Sequence, residues 1–112
     1  MSKIGRMIML AGVECVNGKE KEFNDWYNGT FPRMMLNAPG VLKVERYQRA
    51  EDDTRMPKFI SIVYLENEDS VELLAKSDAI KDLATLYLNE GTQWDLQIRW
   101  AGYYRNIYSS DA

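Results

Sequence analysis

The chain has 112 residues, 46% of them hydrophobic and 28% charged, with a formal net charge of −3. That length suits one domain spanning residues 1–112, and the balance excludes both a disordered and a membrane-spanning chain. The absence of histidine excludes an imidazole base, an imidazole metal ligand and a histidine-ligated haem, while an acidic chain without a basic run argues against nucleic acid or anionic lipid as partner.

Arg6 to Val16 is rich in strand-compatible apolar residues and ends at Asn17-Gly18, a strong turn signal. Met7, Met9, Ala11 and Val13 alternate with Ile8 and Leu10, so both faces of this first strand are apolar. The run from Met7 to Val13 is stopped by Glu14, far short of the roughly 20 residues a membrane helix needs. Lys3 and Arg6 precede it without a small-residue cleavage site, and a lone cysteine, Cys15, fits a reducing compartment, so a cytoplasmic protein is expected.

From Lys19 the period changes. Phe23, Trp26, Tyr27, Thr30, Phe31 and Met34 recur at steps of three and four, the spacing of a helical face, which turns Trp26, Phe31 and Met34 toward a sheet. Pro32 lacks a backbone donor and predicts a kink or restart near Gly29 to Phe31. The sequon Asn28-Gly29-Thr30 falls on this helix rather than in an exposed loop, so it is not read as a glycosylation site. Asn37-Ala38-Pro39-Gly40 ends the helix.

Val41 to Arg49 reads as a second strand, the charged stretch Glu51-Asp52-Asp53-Thr54-Arg55 as a solvated connection, and Phe59 to Glu66 as a third strand. Asp69 with Glu72 resembles a capping box, and Val71, Leu74 and Ala75 give a short apolar face. Ile80, Leu83, Ala84, Tyr87 and Leu88 form a second face out of phase with the first, so Ser77-Asp78 caps a new helical segment that Gly91 closes. Trp94 to Tyr108 is a long final strand. The order βαββαβ predicts an α+β, ferredoxin-like domain: a four-stranded antiparallel sheet with two helices on one face. Its second face, also apolar, calls for a partner sheet.

The stretch Glu22-Phe23-Asn24-Asp25-Trp26-Tyr27-Asn28-Gly29-Thr30-Phe31, followed by Pro39-Gly40 and then Arg46-Tyr47, resembles the EthD-like branch of the dimeric α+β barrel superfamily. The resemblance implies two subunits packed sheet to sheet, each with a small-molecule pocket between sheet and helices. It also implies chemistry of the cofactor-independent monooxygenase, isomerase or cyclase type. Family members commonly carry a histidine where this chain has Phe31, with a proline two residues later, whereas here the proline is Pro32. A function that depends on that histidine is not carried over.

The aromatic residues have two readings. They are either core and interface, or the walls of a cavity for a flat or carbonyl-bearing ligand. On the second reading Trp26, Phe31, Tyr64, Tyr87 and Trp100 line a gap between helix and sheet, with Tyr27 or Tyr103 near its mouth. Charges inside strands, among them Glu14, Glu45, Arg46, Asp95 and Arg99, read either as ion pairs, for instance Glu45 with Arg99, or as a desolvated carboxylate base. The candidates for proton transfer are therefore Tyr27, Tyr87, Tyr103 and Glu45. Cys15 has no base beside it and is read as packing, and the scattered glycines form no phosphate loop, so neither a cofactor nor a metal is implied. The expected partners are a small-molecule ligand and a second copy of the chain. The leading reading is a cofactor-independent enzyme acting on an aromatic or carbonyl-containing metabolite, and the alternative is a non-catalytic ligand-binding or assembly protein of the same fold.

Overall fold

A computed structural model describes residues 6–16 and 18–112. Nine residues, β1 (Met7–Cys15), lead into the helix α1 (Glu20–Leu36), followed by the strands β2 (Val41–Gln48) and β3 (Phe59–Leu65). Two helices come next, α2 (Asp69–Ala75) and α3 (Asp78–Asn89), then a 3-10 turn (Gly91–Trp94) and β4 (Leu96–Arg105). The strands form one antiparallel sheet in the order β2-β3-β1-β4, the ferredoxin-like arrangement expected.

Register assigns the two sheet faces. Val13 pairs with Phe59, Ala11 with Ser61, Met9 with Val63 and Met7 with Leu65, and most of these residues are buried beneath the helices. Successive residues point oppositely, so Ile8, Leu10, Ile60, Ile62 and Tyr64 turn to the other face, where all are only partly buried. Two register shifts adjust this pattern, one between Gly12 and Val13 against β4 and one between Val41 and Lys43 against β3. Gly12 is required where it stands, because a Cβ there would lie 2.6 Å from Pro57 Cγ and 3.0 Å from Trp100 Cε2.

On α1 the buried stripe is Phe23, Tyr27, Phe31 and Met35, an i, i+4 series that lies on the sheet. Trp26 and Met34, expected to face the sheet, instead flank this stripe and are partly buried against the core. The helix also runs unbroken through Pro32, contrary to the kink expected there. Phe31 and Met35 anchor the turns on either side of the proline, and this packing outweighs the lost backbone bond.

The capping box expected from Asp69 and Glu72 does not form. Asn67 Oδ1 accepts from the Ser70 N–H at 3.2 Å, while Glu72 is engaged by Lys76 at 2.6 Å. Ser77 caps α3 as read, its hydroxyl accepting from the Ile80 N–H at 3.3 Å. Leu88, placed on the apolar face by its spacing, is exposed, and β4 is shorter at both ends than the span from Trp94 to Tyr108. Left-handed Asp95 (φ 50°) separates the 3-10 turn from that strand. Of the turn read at Asn17-Gly18, Asn17 lies outside the described residues, and Gly18 has the positive φ of 79° that favours glycine.

Candidate functional site

The helices bring together two hydroxyls that lie 60 residues apart in sequence: Tyr27 OH of α1 and Tyr87 OH of α3 are 2.6 Å apart. Tyr27 is fully buried and Tyr87 half-buried. Burial pushes the Tyr27 hydroxyl pKa up, against opposing effects of the Tyr87 hydrogen bond, Arg46 and Ser61. The Tyr87 hydroxyl pKa is also pushed up, by burial first and then by Tyr27. Both are therefore neutral phenols at any ordinary pH, suited to donating hydrogen bonds rather than to acting as bases.

Above this pair stands Arg46 of β2. Its guanidinium carbon is 4.3 Å from the centre of the Tyr27 ring, 5.5 Å from that of Phe59 and 5.8 Å from that of Phe23, a stack in which cation and ring faces attract. Nη1 donates to Asn24 Oδ1 at 3.0 Å and to Asn28 Oδ1 at 2.7 Å. Nε and Nη2 are buried and make no hydrogen bond. Burial lowers the Arg46 pKa, partly offset by Tyr27 and Tyr87. A cleft of about 240 Å³ opens here between α1 and β2, lined by Asn24, Asn28, Arg46, Tyr47, Gln48 and Phe59.

The structure divides the residues singled out from sequence. Trp26, Phe31 and Tyr87 lie with the helices, whereas Tyr64 and Trp100 turn to the opposite sheet face, so the five do not line one gap. Register decides this: Tyr64 pairs with Ile8, and Trp100 with Gly12. Phe31 is 2% exposed with its ring 5.1 Å from that of Tyr27, a core position, and it lines none of the clefts described here. Trp26 lies at the edge of the core, where its indole donates to Glu90 Oε1 at 2.9 Å and its ring is 6.1 Å from Trp94. Tyr103 is 37% exposed on the helix side of β4, opposite Met9, and burial raises its pKa.

Glu45 lies on the uncovered face. It accepts from Tyr64 OH at 2.8 Å and Tyr47 OH at 3.2 Å and pairs with Lys43 at 3.1 Å. The Tyr64 hydrogen bond above all holds its pKa below the ordinary carboxylate value, opposite to what a general base needs. The pairing of Glu45 with Arg99 read from sequence is replaced by a Glu14–Arg99 bridge at 2.9 Å. Arg99 also bonds the carbonyls of Thr54 and Arg55, fastening the β2–β3 connection to β4. Cys15 is buried and donates from Sγ to the Trp94 carbonyl at 3.1 Å.

The sequence marked Arg46 as one strand charge among several and as part of the family resemblance, and gave Asn24 and Asn28 no role in a binding site. A signal was present: positions 24 and 28 are one helical turn apart, on the flank of the α1 stripe. A second cleft, of about 470 Å³, lies where the end of α1 meets α2 and α3, lined in part by Met34, Pro39, Lys76, Asp78 and Asp82. Among the described residues no cluster suited to a metal ion is found, and no helix is long and apolar enough to cross a membrane.

No protein-family model matches the chain, and no curated protein matches it. Solved structures do. A candidate monooxygenase from Shewanella loihica is 16% identical, with a TM-score of 0.61 over 97% of this chain and 99% of the other. An EthD family protein from Bacillus halodurans is 10% identical, with a TM-score of 0.66 over 93% and 100%. A dimeric ferredoxin-like protein from Thermobifida fusca is 7% identical, with a TM-score of 0.63 over 96% and 95%. The chain thus has the ferredoxin-like fold, which it shares with an EthD family protein and with a dimeric ferredoxin-like protein.

Proposed function

We propose that the protein acts, without a cofactor, on a small aromatic or carbonyl-containing metabolite, in an isomerase, cyclase or monooxygenase type of reaction. The observation that carries this reading is the Tyr27–Tyr87 hydroxyl pair beside the Arg46 guanidinium. In a chain of two neutral phenols one hydroxyl donates to the other, and the outer one keeps its hydrogen for a substrate carbonyl oxygen. Negative charge that grows on that oxygen, as in an enolate, is stabilised by the donated bond and by the nearby cation. The fold shared with a candidate monooxygenase and an EthD family protein supports the same reading.

We further propose that two copies pack sheet to sheet in the cytoplasm. The uncovered face carries Ile8, Leu10, Ile60, Ile62, Tyr64 and Trp100, none of them fully buried in one chain, and a solved protein of this fold is dimeric. Such a face is costly in water.

The test is incubation with a panel of aromatic ketones and phenols, followed by chromatography of products and by dissolved-oxygen measurement. Turnover that falls by at least about tenfold in a folded Tyr87→Phe variant, the loss of one donated bond, is the expected result. Saturable binding with no product would favour the second reading, a ligand-binding or assembly protein. The placement of Phe31 in the core, where the resemblance puts a histidine, is the observation on that side.

A further inference from the structure

An arginine has five N–H donors and no acceptor. Both hydrogens of Arg46 Nη1 are taken by Asn24 and Asn28. Because arginine only donates, both amides must present oxygen to it, which leaves their NH2 groups as further donors at the cleft. The atoms without a partner, Nε and Nη2, share one edge of the guanidinium, and their N–H bonds run parallel there. That edge has the geometry of a carboxylate. Arg46 has no ion pair among the described residues, and the cleft it lines contains no acidic side chain. A half-buried cation has thus been built among neutral amides and rings, with its bidentate edge unused.

We propose that the cleft between α1 and β2 is a carboxylate-binding site, in which Arg46 takes the ligand's two oxygens through Nε and Nη2 and the amides of Asn24 and Asn28 orient it. Its volume of about 240 Å³ is below the roughly 300–1,000 Å³ of pockets that enclose a whole drug-sized molecule, so it holds a head group with the remainder of the ligand outside. The unused edge is out of the solvent's reach in this structure. Binding therefore includes movement of the guanidinium out of its stack on Tyr27, toward the cleft. This names the ligand class of the protein proposed above and rests on the reading that it takes a small molecule, but it requires no turnover.

Calorimetric titration with benzoate, and with benzamide as its neutral analogue, tests the proposal. Saturable one-to-one binding of benzoate, with benzamide at least about tenfold weaker, is expected. Arg46→Lys keeps the charge and loses the fork, and should also weaken benzoate by about tenfold or more. Exposed Asn28→Asp, which leaves the core untouched, sets a competing carboxylate beside Arg46. It should weaken benzoate and raise the unfolding temperature at neutral pH, with the gain vanishing below the carboxylate pKa. Tyr87→Phe should leave benzoate affinity within about twofold even where turnover is lost, which separates failure of the catalytic reading from failure of this one. Equal affinity for benzoate and benzamide, undiminished affinity in folded Arg46→Lys, or no benzoate binding by the unaltered protein would overturn the proposal.

Discussion

Replacing Arg46 with methionine discriminates between an arginine that holds the fold together and one kept for a ligand. The substitution removes two Nη1 bonds, worth about 1 kcal/mol each net because half-buried Asn24 and exposed Asn28 can turn to water. It also removes the stack on Tyr27, worth about 0.5–2 kcal/mol. Against this, it relieves Nε and Nη2, two buried donors without partners, at about 1–3 kcal/mol each. The methionine covers the same rings with an adaptable apolar chain. The opposing effects nearly cancel, so Arg46→Met should unfold within about 1 kcal/mol of the unaltered protein. Urea denaturation followed by tryptophan fluorescence and circular dichroism measures this, with an unchanged slope showing that the compactness of both states is preserved. A loss of more than about 3 kcal/mol, the cost of breaking a satisfied buried charge, would refute the reasoning and make Arg46 a structural residue.

Three further outcomes follow from the geometry. The raised pKa values of Tyr27 and Tyr87 mean that the folded chain keeps protons the unfolded chain releases near pH 10, so their contribution to stability is complete below about pH 10 and declines as pH rises above it. Phenolate absorbance should show these two of the seven tyrosines ionising only as the protein unfolds, and reversible titration of all seven near pH 10 with the fold intact would contradict this. Ile62→Glu puts a charge on the uncovered face beside Glu45 and should shift light-scattering mass toward the 13.0 kDa of one chain, whereas an unchanged dimer would place the interface elsewhere. Gly12→Ala forces a Cβ against the Pro57 ring and the Trp100 indole and should lower unfolding stability by about 1–3 kcal/mol in thermal denaturation, and an unchanged midpoint would mean that both rings move aside.

Much of the fold was legible because it rests on local periodicity. Alternating apolar residues in β1, the helical period of α1 and the Ser77 cap are written within single segments, although the buried stripe of α1 is completed by Met35 rather than by Trp26 and Met34. The absence of histidine likewise excludes imidazole chemistry from composition alone. Other features depended on contacts between segments. Tyr64 and Trp100 belong to strands apolar on both faces, so period two alone could not say which face meets the helices, and pairing with β1 decided it. Pro32 was overruled by the core on either side of it. The 2.6 Å meeting of Tyr27 with Tyr87, and the placing of Arg46 between Asn24, Asn28 and three aromatic rings, join residues from a helix and a strand or from two helices. A hydrogen bond or a stacked cation is satisfied by whatever the folded chain brings within a few ångströms, and no spacing along a single segment records that distance.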